Sequence, residues 1–337
     1  MVMHVIYALE SLEVDRTIVV VGHGAERVTK KVQEQAPEWA NVSFVEQQVQ
    51  RGTGDAAMVG MSALPGHDLD DLDDESTVVI LPGDTPLLRP ETLDELVAAH
   101  VSNGHAATLL TSVMDDPVGY GRVVRAPSKT GDGRVLRIVE QRDANAEERS
   151  INEVCTSIYA FRRDLLGPAL RHLSPDNSQG EYYLTDVVGT LAGMGHRIGA
   201  VQAPMAETAG VNDRWQLALA ERELRARTNR HWLLNGVTML DPRQTFIDVT
   251  VQLGRDVTLY PGTILQGRTI VGNSCEIGPD TRLVDCVVAP DCTIENTVGR
   301  DAEIGAGAHV GPYCHLPAGS SVATAQVTGA FYTAPVD

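Results

Sequence analysis

From Ile247 onward an aliphatic residue returns at every sixth position: Ile247, Leu253, Leu259, Leu265, Val271, Ile277 and Leu283. After a three-residue slip near Glu295 to Thr297 the series resumes at Val298, Ile304, Val310, Leu316 and Val322. Gly254, Gly272, Gly278, Gly299, Gly305 and Gly311 each follow one of these aliphatics. A period of six marks a parallel β-helix, in which each repeat forms one short wall and its aliphatic side chain points into a shared core. The expected fold over residues 236–337 is therefore a left-handed β-helix. Fold alone does not settle function, and an oligomerising prism is weighted above an acyl-transfer or binding surface.

The residues before the repeat read differently. Val2, Val5, Ile6, Leu9 and Leu12 fall at helical spacing, and Thr17 to Gly22 reads as a buried strand. Further apolar strands are expected at Ser43 to Glu46, Thr77 to Leu81, Ala107 to Thr111, Val135 to Val139, Ile158 to Phe161 and Ile198 to Val201. Helical stretches lie between several of them, at Asp55 to Ala63, Pro90 to Val101, Asp164 to Leu173 and Tyr183 to Met194. Alternation of this kind argues a doubly wound α/β domain with a mostly parallel sheet, both faces covered, over residues 1–212. Residues 213–235 carry Trp215, Leu217, Leu219, Leu224 and Trp232 among many charges, without Pro, and suit a long linker helix.

Forty-five acidic against 27 basic side chains give a net charge of −18, which disfavours nucleic acid and anionic lipid as partners. Five cysteines, odd in number and without a C-x-x-C pair, encode neither a disulfide framework nor a zinc site and fit a reduced cytosol. No signal-peptide order or membrane-length apolar run is present, so no membrane partner is expected. The acidic run Asp68 to Glu75 reads as a solvated loop rather than a metal site.

Several segments place chemistry at element ends. Gln47-Gln-Val-Gln-Arg-Gly52-Thr53-Gly54-Asp55 joins a strand to a helix, where backbone N–H groups can face a base or phosphate, although a plain turn also uses glycines. Asp84 in Pro82-Gly83-Asp84-Thr85-Pro86 sits just past an apolar strand, where open α/β sheets bind ligands. It is a candidate Mg2+ ligand, since that ion takes hard oxygens and few protein ligands; the alternative is a turn cap. Gly119-Tyr-Gly121-Arg122, Glu140 in Ile138-Val-Glu-Gln141, and Glu181-Tyr-Tyr-Leu-Thr185-Asp186 set polar groups where sugar hydroxyls need donors and acceptors.

Taken in order with Gly210-Val-Asn212 and the hexapeptide tail, these motifs resemble the bacterial GlmU family over essentially the whole chain. Members join an N-acetylglucosamine-1-phosphate uridyltransferase to a glucosamine-1-phosphate acetyltransferase. The resemblance implies a Rossmann-like nucleotidyltransferase domain acting on UTP and N-acetylglucosamine 1-phosphate, with homotrimers formed through the β-helix in the cytoplasm. It implies that Gln47, Gly52 and Thr53 hold the uracil base, and that Asp84 and Asn212 are catalytic and hold Mg2+ against the phosphates. Gly83 joins this set, while Gly121, Glu140, Cys155 and Thr185 line the sugar pocket.

Three departures from the family pattern shape the expectations. The family's first strand and its Gly-x-Gly-Thr-Arg phosphate loop, followed by a lysine, have no counterpart before Met1, so the sheet is expected to lack that strand. Cys155 stands where the family has the Asn of Glu-Val-Asn. A thiol replaces an amide poorly, at about 1–3 kcal/mol for an unmatched sugar group. In the tail, Leu316-Pro-Ala-Gly319 replaces Leu-Arg-Pro-Gly and Pro335 falls where a Lys belongs, so acetyl transfer is not expected. The alternatives are a degenerate trimeric nucleotide-binding scaffold and a nucleotidyltransferase for another sugar phosphate.

Overall fold

The structure, a computed structural model, describes residues 1–64, 76–127 and 133–336. The run from Asp68 to Glu75 lies outside the described residues. The chain divides into two compact units, Met1–Arg214 and Trp215–Asp337.

In the first unit, α1 (Val2–Tyr7) leads into β1 (Thr17–Val21), α2 (Ala25–Gln35), β2 (Val42–Glu46) and α3 (Thr53–Ser62). Next come β3 (Thr77–Ile80), α4 (Pro90–Ser102), β4 (Ala107–Val113), β5 (Arg122–Arg125), β6 (Val135–Val139) and β7 (Glu153–Arg162). The unit continues through α5 (Arg163–Arg171), α6 (Thr185–Gly193), β8 (Ile198–Gln202) and α7 (Met205–Thr208). Pro90 opens α4 at the first helical turn, where its missing N–H costs nothing.

β1 and β2 form a parallel two-stranded sheet, and the other six strands form a second sheet in the order β6-β5-β7-β4-β8, with β3 also on β7. The expectation of a mostly parallel sheet does not hold in this larger sheet. β7 is ten residues long and runs antiparallel to β3, β4 and β5, leaving β4–β8 as its parallel pair. β5 and β6 form an antiparallel pair that returns the chain to β7.

Alternation along the strands sends residues to two cores. Leu109, Tyr159 and Phe161 pack with Leu166 and Leu170 of α5 and Val187, Val188 and Leu191 of α6. Their neighbours Leu110, Ile158 and Ala160 pack on the opposite face with Leu93 and Leu96 of α4. Both faces are thus covered, as a doubly wound, Rossmann-like layer arrangement requires. α2 and β5 escape the sequence reading: α2 buries only Val32, and β5 is the four residues Arg-Val-Val-Arg.

In the second unit, α8 (Arg214–Leu234, whose first residue closes the preceding unit) precedes a parallel β-helix built from three five-stranded sheets, which fits the left-handed class. Leu259, Leu265, Ile277, Leu283, Ile294 and Leu316 stack inside it, fully buried. Thr263, Thr269, Thr281 and Thr297 are buried too, and each hydroxyl donates to a backbone carbonyl, so these four hydroxyls are satisfied. The five cysteines of the chain are buried free thiols.

The slip is placed differently from the sequence reading. Leu283 pairs with Gly299, and Val271 with Val288, so the inward series runs Leu283, Val288, Ile294, Gly299, Ile304. Single residues are dropped from three separate walls rather than three from one. Val298 is 52% exposed, and Gly299 takes the inward place because a Cβ there would already lie 3.0 Å from Leu283 Cδ2. Between successive inward residues the chain turns through one residue of positive φ: Asp285, Asp291, Asn296 and Asp301. Asp and Asn enter this left-handed region more readily than other non-glycine residues.

Candidate functional site

The loop between β2 and α3 is pinned at its start by Gln47 N–H donating to the Val21 carbonyl at 2.8 Å. The Gln47 side chain turns back along the loop. Its Nε2 donates to Asp55 Oδ2 at 2.7 Å and to the Gly52 carbonyl at 3.3 Å. Arg51 donates to the other oxygen, Asp55 Oδ1, at 2.7 Å, and Asp55 is only 3% exposed. Gly52 has φ 108°, and a Cβ on it would lie 2.6 Å from the Tyr182 carbonyl, so both conformation and space demand glycine.

The same loop is stitched to the segment that enters α6. Gly54 N–H donates to the Tyr182 carbonyl and Tyr182 N–H to the Arg51 carbonyl, each at 2.8 Å. Leu184 N–H donates to Thr53 Oγ1 at 3.1 Å, and the Arg51 guanidinium lies 5.8 Å from the Tyr182 ring centroid. The N–H of Gly54, which the sequence offered to a ligand, is therefore committed to Tyr182. Arg51, Asp55 and Tyr182 were not singled out from sequence; the Arg–Asp spacing of four was their one visible signal.

The stitched segment continues directly into a second cluster. Thr185 Oγ1 donates to Glu140 Oε1 at 3.0 Å. A Cβ on Gly121 would lie 3.4 Å from both Glu140 carboxylate oxygens, and the Gly121 carbonyl accepts from Cys155 N–H at 2.9 Å. Gly121, Glu140, Cys155 and Thr185 are thus brought together. Burial pushes the Glu140 carboxyl up, the Thr185 bond partly opposes this, and Asp186 and Asp143 add to it. The Cys155 thiol is buried and donates to the Tyr159 hydroxyl at 3.3 Å; burial pushes it up to about 11. Arg122, the buried end of Gly-Tyr-Gly-Arg, donates to the Tyr120 carbonyl and to Gln141 Oε1, while its Nε has no partner among the described residues. The sequence reading named it within that motif without giving its side chain a role.

Asp84 follows β3 in a turn closed by Thr85 Oγ1 donating to the Pro82 carbonyl at 3.1 Å. A Cβ on Gly83 would meet open space, so the turn leaves that side clear. The Asp84 carbonyl accepts from Val211 N–H at 2.9 Å, and a Cβ on Gly210 would lie 3.4 Å from Asp84 Oδ2. Asn212 is the next residue, so the two proposed metal ligands stand on adjoining backbones. Burial first, and then the charge of Asp84, push the Tyr120 hydroxyl up.

No cluster of three or more His, Cys, Asp or Glu able to hold a metal occurs among the described residues. Mg2+ does not need one: one or two hard protein oxygens plus substrate phosphates complete its shell. A carboxylate and an amide on adjoining segments fit that requirement. No helix among the described residues is long and apolar enough to cross a membrane.

Residues 1–179 match the MobA-like NTP transferase domain family. The bifunctional protein GlmU of Caldanaerobacter subterraneus subsp. tengcongensis is 42% identical over 94% of this chain and 65% of its own length. That of Streptomyces avermitilis is 43% identical over 97% and 66%, and that of Geobacillus sp. strain WCH70 is 40% identical over 96% and 67%. The chain thus spans about two thirds of the length of the curated relatives it matches. A solved UDP-glucose pyrophosphorylase complexed with UDP-glucose overlays at TM-score 0.47 and 16% identity, covering 60% of this chain and 77% of that one. With the family model matching more than half of the chain and the GlmU relatives at 40–43% identity over nearly all of it, the chain belongs to the MobA-like NTP transferase domain family and, within it, to the GlmU proteins.

Proposed function

We propose that this chain transfers a uridylyl group from UTP to N-acetylglucosamine 1-phosphate, giving UDP-N-acetylglucosamine, a cell-wall precursor, and pyrophosphate. In this reading residues 1–212 are the nucleotidyltransferase domain, 213–235 a linker helix and 236–337 a β-helix domain that associates as a homotrimer in the cytoplasm. The observation that carries it is the continuous stitch from Gln47–Asp55 through Tyr182–Leu184 to Thr185 and Glu140, which sets a base-reading loop beside a sugar-reading carboxylate.

Gln47, Gly52 and Thr53 hold the base, and Gly121, Glu140, Cys155 and Thr185 surround the sugar. A sugar-phosphate oxygen attacks the α-phosphorus, the new O–P bond forms in line, and the bond to pyrophosphate breaks. Asp84 and Asn212, beside Gly83, would hold Mg2+, which when bound would supply neutralisation of phosphate charge. The chain's own contribution is positioning: fixing two bound reactants in line removes the entropy of their encounter, and no covalent enzyme intermediate is required.

The test is Mg2+-dependent pyrophosphate release from UTP and N-acetylglucosamine 1-phosphate. Asp84→Ala and Asn212→Ala should each slow it by about a thousandfold, or roughly 4 kcal/mol of barrier, without lowering the melting temperature. A near-normal rate in either variant removes that residue from the metal site. UTP binding without turnover in the unaltered protein would favour the scaffold reading.

A further inference from the structure

We infer that Asp55 is a positioning residue that fixes the hydrogen-bond polarity of Gln47 and so makes the site accept uridine and reject cytidine nucleotides. The inference rests on the uridylyl reading above and deepens it. A carboxylate paired with arginine offers acceptors only, whereas a glutamine amide has one donor end and one acceptor end. With Asp55 Oδ2 at 2.7 Å and the Gly52 carbonyl at 3.3 Å, two acceptors face the same end of the Gln47 amide. Both require the NH2 group, so the amide has one orientation. Arg51 holds the carboxylate from its other oxygen at 2.7 Å, which keeps Asp55 from turning away.

The consequence lies at the opposite end of the amide. Gln47 Oε1 has no protein hydrogen-bond partner among the described residues, so a ligand there must bring a donor. Uracil does so with its N3–H. Cytosine presents a bare N3 acceptor at the same ring position, and two acceptors facing each other in a partly desolvated site repel. With Asn at position 55 held by Arg51 through its Oδ1, its NH2 group faces Gln47 and favours the turned-over amide against the single longer contact to the Gly52 carbonyl, so the Gln47 NH2 group is offered to cytosine.

A bland role also exists for Asp55. It stands in the first turn of α3 and pairs with Arg51 four residues earlier, and both features favour an acid there for helix stability. That role predicts a lower melting temperature in variants and an unchanged preference between bases, so base selectivity separates the two.

The experiment is calorimetric titration of the full chain with UTP, CTP and the triphosphate of 3-methyluridine, which lacks the N3–H. The unaltered protein should bind UTP about tenfold or more tighter than either of the others, one hydrogen bond's worth in a buried site. Asp55→Asn, which keeps the shape and frees the amide, should cut the UTP-over-CTP preference by about tenfold, mostly by tightening CTP. In turnover the change should appear in KM for the nucleotide rather than in kcat. The reciprocal pair Gln47→Glu with Asp55→Asn again presents an acceptor to the base and should restore the uridine preference. Three outcomes overturn the inference: equal UTP and 3-methyluridine affinities in the unaltered protein, an unchanged preference in a folded Asp55→Asn, or no recovery in the reciprocal pair. Failure of the unaltered protein to bind any uridine nucleotide would instead overturn the uridylyl reading, and the inference with it.

Discussion

The two units of this molecule solve the same problem of burying apolar surface by opposite means. In the β-helix, each residue pairs with one in the next coil, as Leu265 does with Leu283 and Ile304 with Val322. In the nucleotidyltransferase unit, β4 draws one neighbour from Glu153–Phe161 and the other from Ile198–Gln202, with whole elements intervening. Near-neighbour stacking makes a rigid prism whose parts are interchangeable. Convergence of distant segments makes a site in which Gln47, Tyr182 and Glu140 each meet partners from other parts of the chain. The lesson is that periodicity supplies support and aperiodicity supplies chemistry.

That contrast can be broken in the prism first. Leu283→Ala should cost about 2–5 kcal/mol, because the side chain is fully buried and its neighbours above and below are fixed by register. Calorimetry should show the loss in the transition of residues 215–337, with UTP affinity changed by less than about twofold. A large loss of UTP affinity would mean that the two units do not divide support from chemistry.

On the other side, Gly52→Ala strikes a junction of distant segments. The added Cβ meets the Tyr182 carbonyl and the backbone is held at positive φ, so about 1–3 kcal/mol should be lost together with nucleotide affinity. If stability falls while UTP still binds normally, the stitch is scaffolding only.

The smallest expected effect sharpens the comparison within the site. Burial raises the folded-state pKa of Glu140 above its ordinary value, so its contribution to stability is present below about pH 4.5 and is lost as pH rises through the raised value. Glu140→Gln should therefore raise the melting temperature at pH 7, do little at pH 4, and still slow uridylyl transfer. An equal shift at both pH values would show that ionisation of Glu140 costs the fold nothing.

The hexapeptide period made the prism legible from Ile247 to Leu283, because a repeat states its own register many times. It misled at Val298, where an aliphatic side chain looked inward while the adjacent Gly299 held the core position. Most strands and helices of the first unit were readable as apolar runs and spacings, but strand direction was not. The antiparallel course of β7 depends on the β5–β6 pair that precedes it, and β5 is too short to announce itself. At the site, Gln47, Asp84 and Glu140 stood out by residue type and motif. Asp55 and Arg122 did not, since their importance lies in partners set by folding: an amide eight residues earlier and a glutamine on the far side of a hairpin.

The positive-φ residues at the corners of the prism carry one more implication. Walls of five and six residues coexist between Leu283 and Ile304, and the inward series passes through them without interruption. Each left-handed residue lets the chain close its corner whatever the exact length of the wall, so length is settled at the surface and sequence order in the core. Such a unit can gain or lose single residues over evolutionary time while every interior side chain keeps its neighbours. The corners act as expansion joints, and a family built this way can drift in length while conserving its interior.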